Sequence, residues 1–526
     1  MQRRPAIGMW LGLVGLVACP ALGVRAAAQC ELVELHAQGG QKGDEFGSAA
    51  AISGGIAVVG APEALVAGQP RGTAHVFEET PAGWIETAAL APSDGLLARR
   101  FGSAVAASGN RVLVGAPNAD GAAANTGAAY LFERVLGVWT EVARLVDPAG
   151  AFGDNFGRAV GLDGEVAAVG SLGAEAVFVF EPGPGGWVQT AALQPSNSTG
   201  ADRFGSTLAV SGDTILAGAP EHLAPFIATG IAFVFERTPA GWQETEALEA
   251  QVPDYHLHFG STVALWGDTA LVSDSPGVSG TGDVQVFDRG PNGWEPTALL
   301  SSPGTDGFGE ALALRGETAL VGAPTALVGG VFQGFARAYE RGPEGWVAVA
   351  ELHNPGGGAF HRFGASVALS QESYLAGIPG DADLGPMAGS ASLFGRDESL
   401  CVFPEQASAF FGGFQGFELA AGLAHAGRPY LILGTVSGTA PGIAVGSLTV
   451  PLNPDAYTDL TLQDPAAPIY TGFAGLLDAF GNAAAQVTLP PGSPPALVGL
   501  TFHHAFVLFL PQLDFASNPV SWTIGF

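Results

Sequence analysis

His256 and His258, in the stretch YHLHFG, stand two residues apart, the spacing that sets both imidazoles on one side of a strand as some metal sites require. No third ligand accompanies them, so the pair reads as surface histidines. Asp381 and Asp383 in PGDADLG, and Asn118 and Asp120 in PNADG, put oxygen ligands on short turns that could hold a weak cation. Short acidic turns are ordinarily just solvated. His503 and His504 are adjacent in an apolar strand and face opposite sides, so one metal cannot easily take both. There is no Gly-x-Ser-x-Gly, no His-Glu-x-x-His and no phosphate-cradling glycine loop. No catalytic residue, no metal and no cofactor is therefore expected, and the chain reads as a non-enzyme.

Charge and leader sequence narrow the setting. Arg3 and Arg4 precede an apolar run from Ile7 to Val24 and then Ala26-Ala27-Ala28, a signal-peptide pattern with cleavage expected before Gln29. Leu16-Val17-Ala18-Cys19 also fits a lipoprotein box, a minority alternative that would anchor the chain through Cys19. Either route predicts a secreted or cell-surface protein. Loss of residues 1–28 removes Arg3, Arg4 and Arg25 and no acid, taking the formal charge from -29 to -32. Such a field repels nucleic acid and anionic lipid. Later apolar runs are interrupted by Gly, Pro and charge, so no membrane span is expected. A soluble monomer with a protein or polysaccharide partner at the cell surface or matrix remains.

What positions these residues is a repeat. Phe-Gly recurs at Phe46, Phe101, Phe156, Phe204, Phe259, Phe308 and Phe363. Fourteen residues after each Phe comes Gly-Ala-Pro or its relic, beginning at Gly60, Gly115, Gly170, Gly218, Ser273, Gly322 and Gly377. A strand ending in an aromatic follows, as in IAFVFER, then a Pro/Gly turn and a strand opened by Trp84, Trp139, Trp187, Trp242, Trp294 or Trp346. Four short strands per unit of about 40 to 55 residues mark β-propeller blades, whose faces only neighbouring blades can cover. The seventh unit lacks the tryptophan strand. Counting on the repeat template makes the N-terminal CELVELHA the missing outer strand, which would close a ring. It also brings Cys30 and Cys401 to neighbouring template positions, and in an oxidising compartment they should pair. A loop of that length contributes about 4 to 5 kcal/mol on the chain-entropy model.

These units resemble FG-GAP repeats, the seven-bladed module of integrin α-subunit heads and of many bacterial surface proteins. The resemblance covers roughly residues 30 to 400 and implies a propeller with adhesion-like binding. Calcium-binding members carry an Asp-rich loop between Phe-Gly and Gly-Ala-Pro; here that segment is a short turn such as SGN or SGD, so no family calcium site is expected.

The expected organisation is all-β: a signal peptide at 1–28, a seven-bladed propeller at 29–400 and a C-terminal β-sandwich at 401–526, whose apolar stretches are separated by Gly, Pro, Asn and Asp turns. In a four-stranded up-and-down blade the second connection and the interblade link share one face. Those are the long, divergent segments here, as in PEALVAGQPRG, PEHLAPFIATG and GGGAFHR. The candidate binding face is accordingly Arg71, Asn118, Asp120, His222, Phe226, Tyr255, His256, Phe332, His361 and Asp381. The competing readings are a glycan-binding lectin, which requires the repeated tryptophans to be exposed in regularly spaced clefts, and, ranked below it, a propeller hydrolase, whose central channel would gather polar residues from several blades without a linear motif.

Overall fold

Alternating small and branched apolar residues, as in IAVVGA or RVLVGA, suit strands buried on both faces, and glycine-bearing turns break them at short intervals. The computed structural model describes residues 31–524 except 67, 81–82, 96–98, 199, 225–226, 252–257, 275–280, 329, 344, 355–356, 397–398, 403–412, 422–424, 446–447, 479–480, 510–512, 514 and 518–519. The expected signal segment and Cys30 therefore lie outside the described residues.

The chain is all-β but for short helical turns, with four-stranded antiparallel sheets arranged as propeller-like blades. The second of them is typical: Ala104–Ser108, Arg111–Ala116, Ala128–Val135 and Val138–Leu145, each paired with the next. Five further sheets built in the same chain order start at Ala49, Phe156, Thr207, Phe259 and Ala311. The last takes Ser366–Leu369, Ser373–Ile378 and Ser390–Gly395 from the end of the repeats, and Glu31–Leu35 runs antiparallel beside the third of these. First strands of successive sheets touch, and that of the last sheet touches Ala49–Ser53 of the first.

Two glycines explain the repeated motifs. A Cβ at Gly115 would be driven into the carbonyl oxygen of Gly157, the glycine of the next Phe-Gly, and the same clash recurs for Gly60 with Gly102, Gly170 with Gly205, Gly218 with Gly260 and Gly322 with Gly364. Only a residue with no side chain lets the two backbones approach this closely. Gly377 meets Gly47 in the same way. The phenylalanines do the complementary work: all seven are essentially fully buried, and each meets the aromatic of its own third strand, mostly edge-on.

The C-terminal segment forms a four-stranded sheet, including Ser399–Val402, Gly413–Ala420 and Asn482–Leu489, and a five-stranded sheet around Pro429–Thr435 and Thr501–Leu508. Phe417, Leu419 and Val487 of one share a core with Ile432, Phe506 and Leu508 of the other. Within the segment expected to be a β-sandwich, Ala456–Gln463 is a helix, capped by Asp455, whose carboxylate accepts from the Tyr457 and Thr458 amides. His504 is buried and bonded to Tyr457 at 2.9 Å, while His503 on the other side of the strand reaches Ser521 at 2.6 Å. Burial holds the His504 imidazole neutral, with its pKa lowered to about 3.

Candidate functional site

The second connections and interblade links lie side by side because backbone bonds tie them together. Phe101 donates its amide to Arg71 O at 2.8 Å, Phe156 to Thr126 O at 3.0 Å and Phe363 to Gln333 O at 2.8 Å. Three second connections are themselves small hairpins: Leu65–Val66 with Gln69–Pro70, Leu223–Ala224 with Ile227–Ala228, and Leu327–Val328 with Val331–Phe332. Two-residue strands are too short to register as a period, so the sequence shows them only as long loops.

The candidate residues separate into groups on this edge. Phe332 is 44% exposed and lies parallel to Phe360, itself 70% exposed, with ring centroids 6.1 Å apart. Leu327 and Val331 beside them are exposed as well. Arg71 reaches across to Gly95 O at 2.6 Å. Asn118 and Asp120 bond within their own loop, to the Asn125 side chain and amide at 3.4 and 2.9 Å. Two candidates require correction: His222 is buried against Asp202 at 3.1 Å, and Asp381 is only 2% exposed, with its carboxylate 3.5 Å from the His361 imidazole. Each acid–imidazole contact ties a second connection to an interblade link, which takes His222 and Asp381 off the exposed binding edge. Phe226, Tyr255 and His256 lie outside the described residues. Cys401 stands on the strand Ser399–Val402, but its side chain, like Cys30, lies outside what is described, so the bridge rests on sequence.

Residues that sequence reasoning missed are Phe360 and Phe152, the latter 80% exposed. Both occur in Gly-Ala-Phe of an interblade link, a large apolar residue in a segment without strand periodicity to bury it. That was the available signal.

The opposite edge is held by charge. Glu78 pairs with Arg134 at 2.6 Å and Glu236 with Arg289 at 2.7 Å, while Glu181 pairs with Arg237 and Asp288 with Arg341, each bond joining the third strands of consecutive sheets. Four of the nineteen arginines are thereby engaged between sheets. The repeated tryptophans pack there too: Trp294 is buried, the other five are half-buried, and each rests on the core between two sheets.

Asp274 marks a local departure at the end of the second strand of the fifth sheet, where the repeat calls for alanine. Burial raises its carboxyl to about 7, and the nearby Asp283 carboxylate adds to the rise. A carboxyl with a raised folded pKa favours the native state while protonated, so stability falls as pH rises from about 4 through 7. The variant Asp274→Asn should raise the melting temperature much more at pH 8 than at pH 5; an equal shift at both would refute the assignment.

Among the described residues no helix is long and apolar enough to cross a membrane. Comparison with known families matches FG-GAP repeats at residues 31–77, 84–132, 139–180 and 187–235. No curated protein matches the chain. Similar solved structures include a candidate 6-phosphogluconolactonase from Bacteroides fragilis (10% identity, 58% of this chain and 84% of that one, TM-score 0.42). Kuenenia stuttgartiensis hydrazine synthase is another (11%, 60% and 90%, 0.38), as is the β-propeller domain of the Trilobed protease from Pyrococcus furiosus (10%, 62% and 89%, 0.36). The expectation of a non-enzyme is corrected by this finding, since proteins bearing enzyme names stand among the similar structures. At such identities none of them assigns an activity to this chain.

Proposed function

We propose that this chain of FG-GAP repeats is a secreted or cell-surface binding protein that engages a protein partner through the edge formed by its second connections and interblade links. The observation that carries the reading is the stacked, solvent-exposed pair Phe332 and Phe360, with Leu327 and Val331 alongside. A soluble protein gains nothing from leaving such a patch in water, and aromatic anchors dominate the energetics of protein interfaces. The reading takes the repeats as a seven-bladed propeller closed by the N-terminal strand, which is supported by the pairing of Glu31–Leu35 with Ser390–Gly395. It takes the C-terminal segment as a β-sandwich, supported by the core its two sheets share. Export rests on the leader sequence alone.

The lectin alternative needs ring faces open to sugars. The half-buried, interblade setting of the tryptophans counts against it.

The test is a binding array of extracellular proteins and surface glycans, probed with the wild type and with Phe332→Ser and Phe360→Ser. Each substitution should weaken protein capture at least tenfold, an interface-anchor loss of about 2 kcal/mol. Melting temperatures should stay within about 2 °C, because surface changes cost little. Undiminished capture by both variants, or capture of glycans alone, would contradict the proposal.

A further inference from the structure

The seam between the two ends of the repeats gathers an unusual set of polar groups. Glu34 belongs to the strand Glu31–Leu35 and His36 follows it directly, while Asp381 and Asp383 come from the second connection of the last sheet. One ligand atom from each of Glu34, His36 and Asp383 lies within 4.8 Å of the others. The Nε2 of His36 stands 3.7 Å from a Glu34 carboxylate oxygen. Asp381, almost wholly buried, lies beside Glu34 and the buried Ser390 hydroxyl.

Acidic residues together do not make a site; unmet polar atoms are the independent observation. Glu34 Oε1, His36 Nδ1, Asp381 Oδ2 and Ser390 Oγ are all buried and have no hydrogen-bond partner. Buried polar atoms are nearly always paired, and two carboxylates in contact need a proton or a cation between them. All four belong to residues of this seam, which come from segments almost 350 residues apart in sequence.

We propose that Glu34, His36 and Asp383, backed by Asp381, form a divalent metal site for a Zn²⁺-like first-row ion that ties the N-terminal strand to the last sheet. One imidazole among carboxylates favours such an ion over Ca²⁺, which takes oxygen ligands only. Tetrahedral bonds of about 2.0–2.2 Å bring ligand atoms about 3.4 Å apart. Asp383 is exposed, and rotation of its side chain closes the remaining gap. The site lies outside the segment between Phe-Gly and Gly-Ala-Pro, and joins parts of the chain that no single repeat contains.

The experiment is titration of the metal-stripped full chain with ZnCl₂ and, separately, CaCl₂, followed by calorimetry, metal analysis and thermal melting. It is repeated for Asp383→Asn, His36→Gln and the control His222→Gln. One Zn²⁺ should bind per wild-type chain and raise the melting temperature, since a ligand of the native state alone stabilises it. Asp383→Asn and His36→Gln should each weaken binding at least tenfold, while His222→Gln leaves it unchanged. Asp383 is exposed, so its variant keeps the test valid if His36→Gln destabilises the seam. Absence of saturable Zn²⁺ uptake, uptake that survives both substitutions, or Ca²⁺ binding of equal strength would overturn the assignment.

Discussion

Valine in place of Gly377 is expected to lower the stability of the repeats by about 3 kcal/mol or more, in the upper range of overpacking penalties. A Cβ there is driven into the backbone oxygen of Gly47 and the Ser366 hydroxyl, which itself bonds that oxygen at 2.8 Å. Backbone cannot rotate away as a side-chain tip can. The contact joins the last sheet to the first, so the loss should appear as opening of the seam. Gly185→Val is the control: a Cβ at this turn meets nothing within 4 Å and its backbone is not in the left-handed region. It should change stability by no more than about 0.5 kcal/mol. Equal denaturant midpoints for the two variants would show that the close approach of Gly377 to Gly47 does not exist in solution.

Phe101→Ala should cost about 3 to 5 kcal/mol, the usual range for emptying a buried aromatic site. The ring is fully buried, edge-on to Tyr130 and Phe132 at 5.6 and 6.1 Å, and belongs to the core shared by the first two sheets. Phe152→Ala removes the same side chain from a position 80% exposed and should be nearly neutral. Urea unfolding of both separates the structural phenylalanines from those free to bind. A neutral Phe101→Ala would mean that the Phe-Gly ring does not occupy the core.

The sheets were legible because their signals are local and repeated. Phe101 and Gly115 recur with fixed spacing since one fills a core and the other admits a neighbouring backbone; the fifth unit departs from this with Ser273 at the glycine position. The connections were harder to read. His222 and Asp381 occur in loop sequence that looks solvent-bound, yet each is drawn inward by a partner, Asp202 or His361, that no spacing rule identifies. The helix at Ala456–Gln463 was hidden among strand-like residues, although Asp455 followed three residues later by Thr458 was a usable start signal. The cluster of Glu34, His36 and Asp383 had no linear signature, because only the pairing of Glu31–Leu35 with Ser390–Gly395 brings the two ends together. Asp381 and Asp383 did draw notice as oxygen ligands, but their partners lay at the far end of the chain.

Both the binding edge and the metal seam depend on the first strand completing the last sheet. Hydrogen exchange read by mass spectrometry on the peptide spanning 31–35 addresses this directly. If Glu31–Leu35 pairs with Ser390–Gly395, its bonded amides should exchange slowly and should lose protection together with that strand as urea is added. Exchange as fast as that of an unstructured tail, while 390–395 stays protected, would contradict the account.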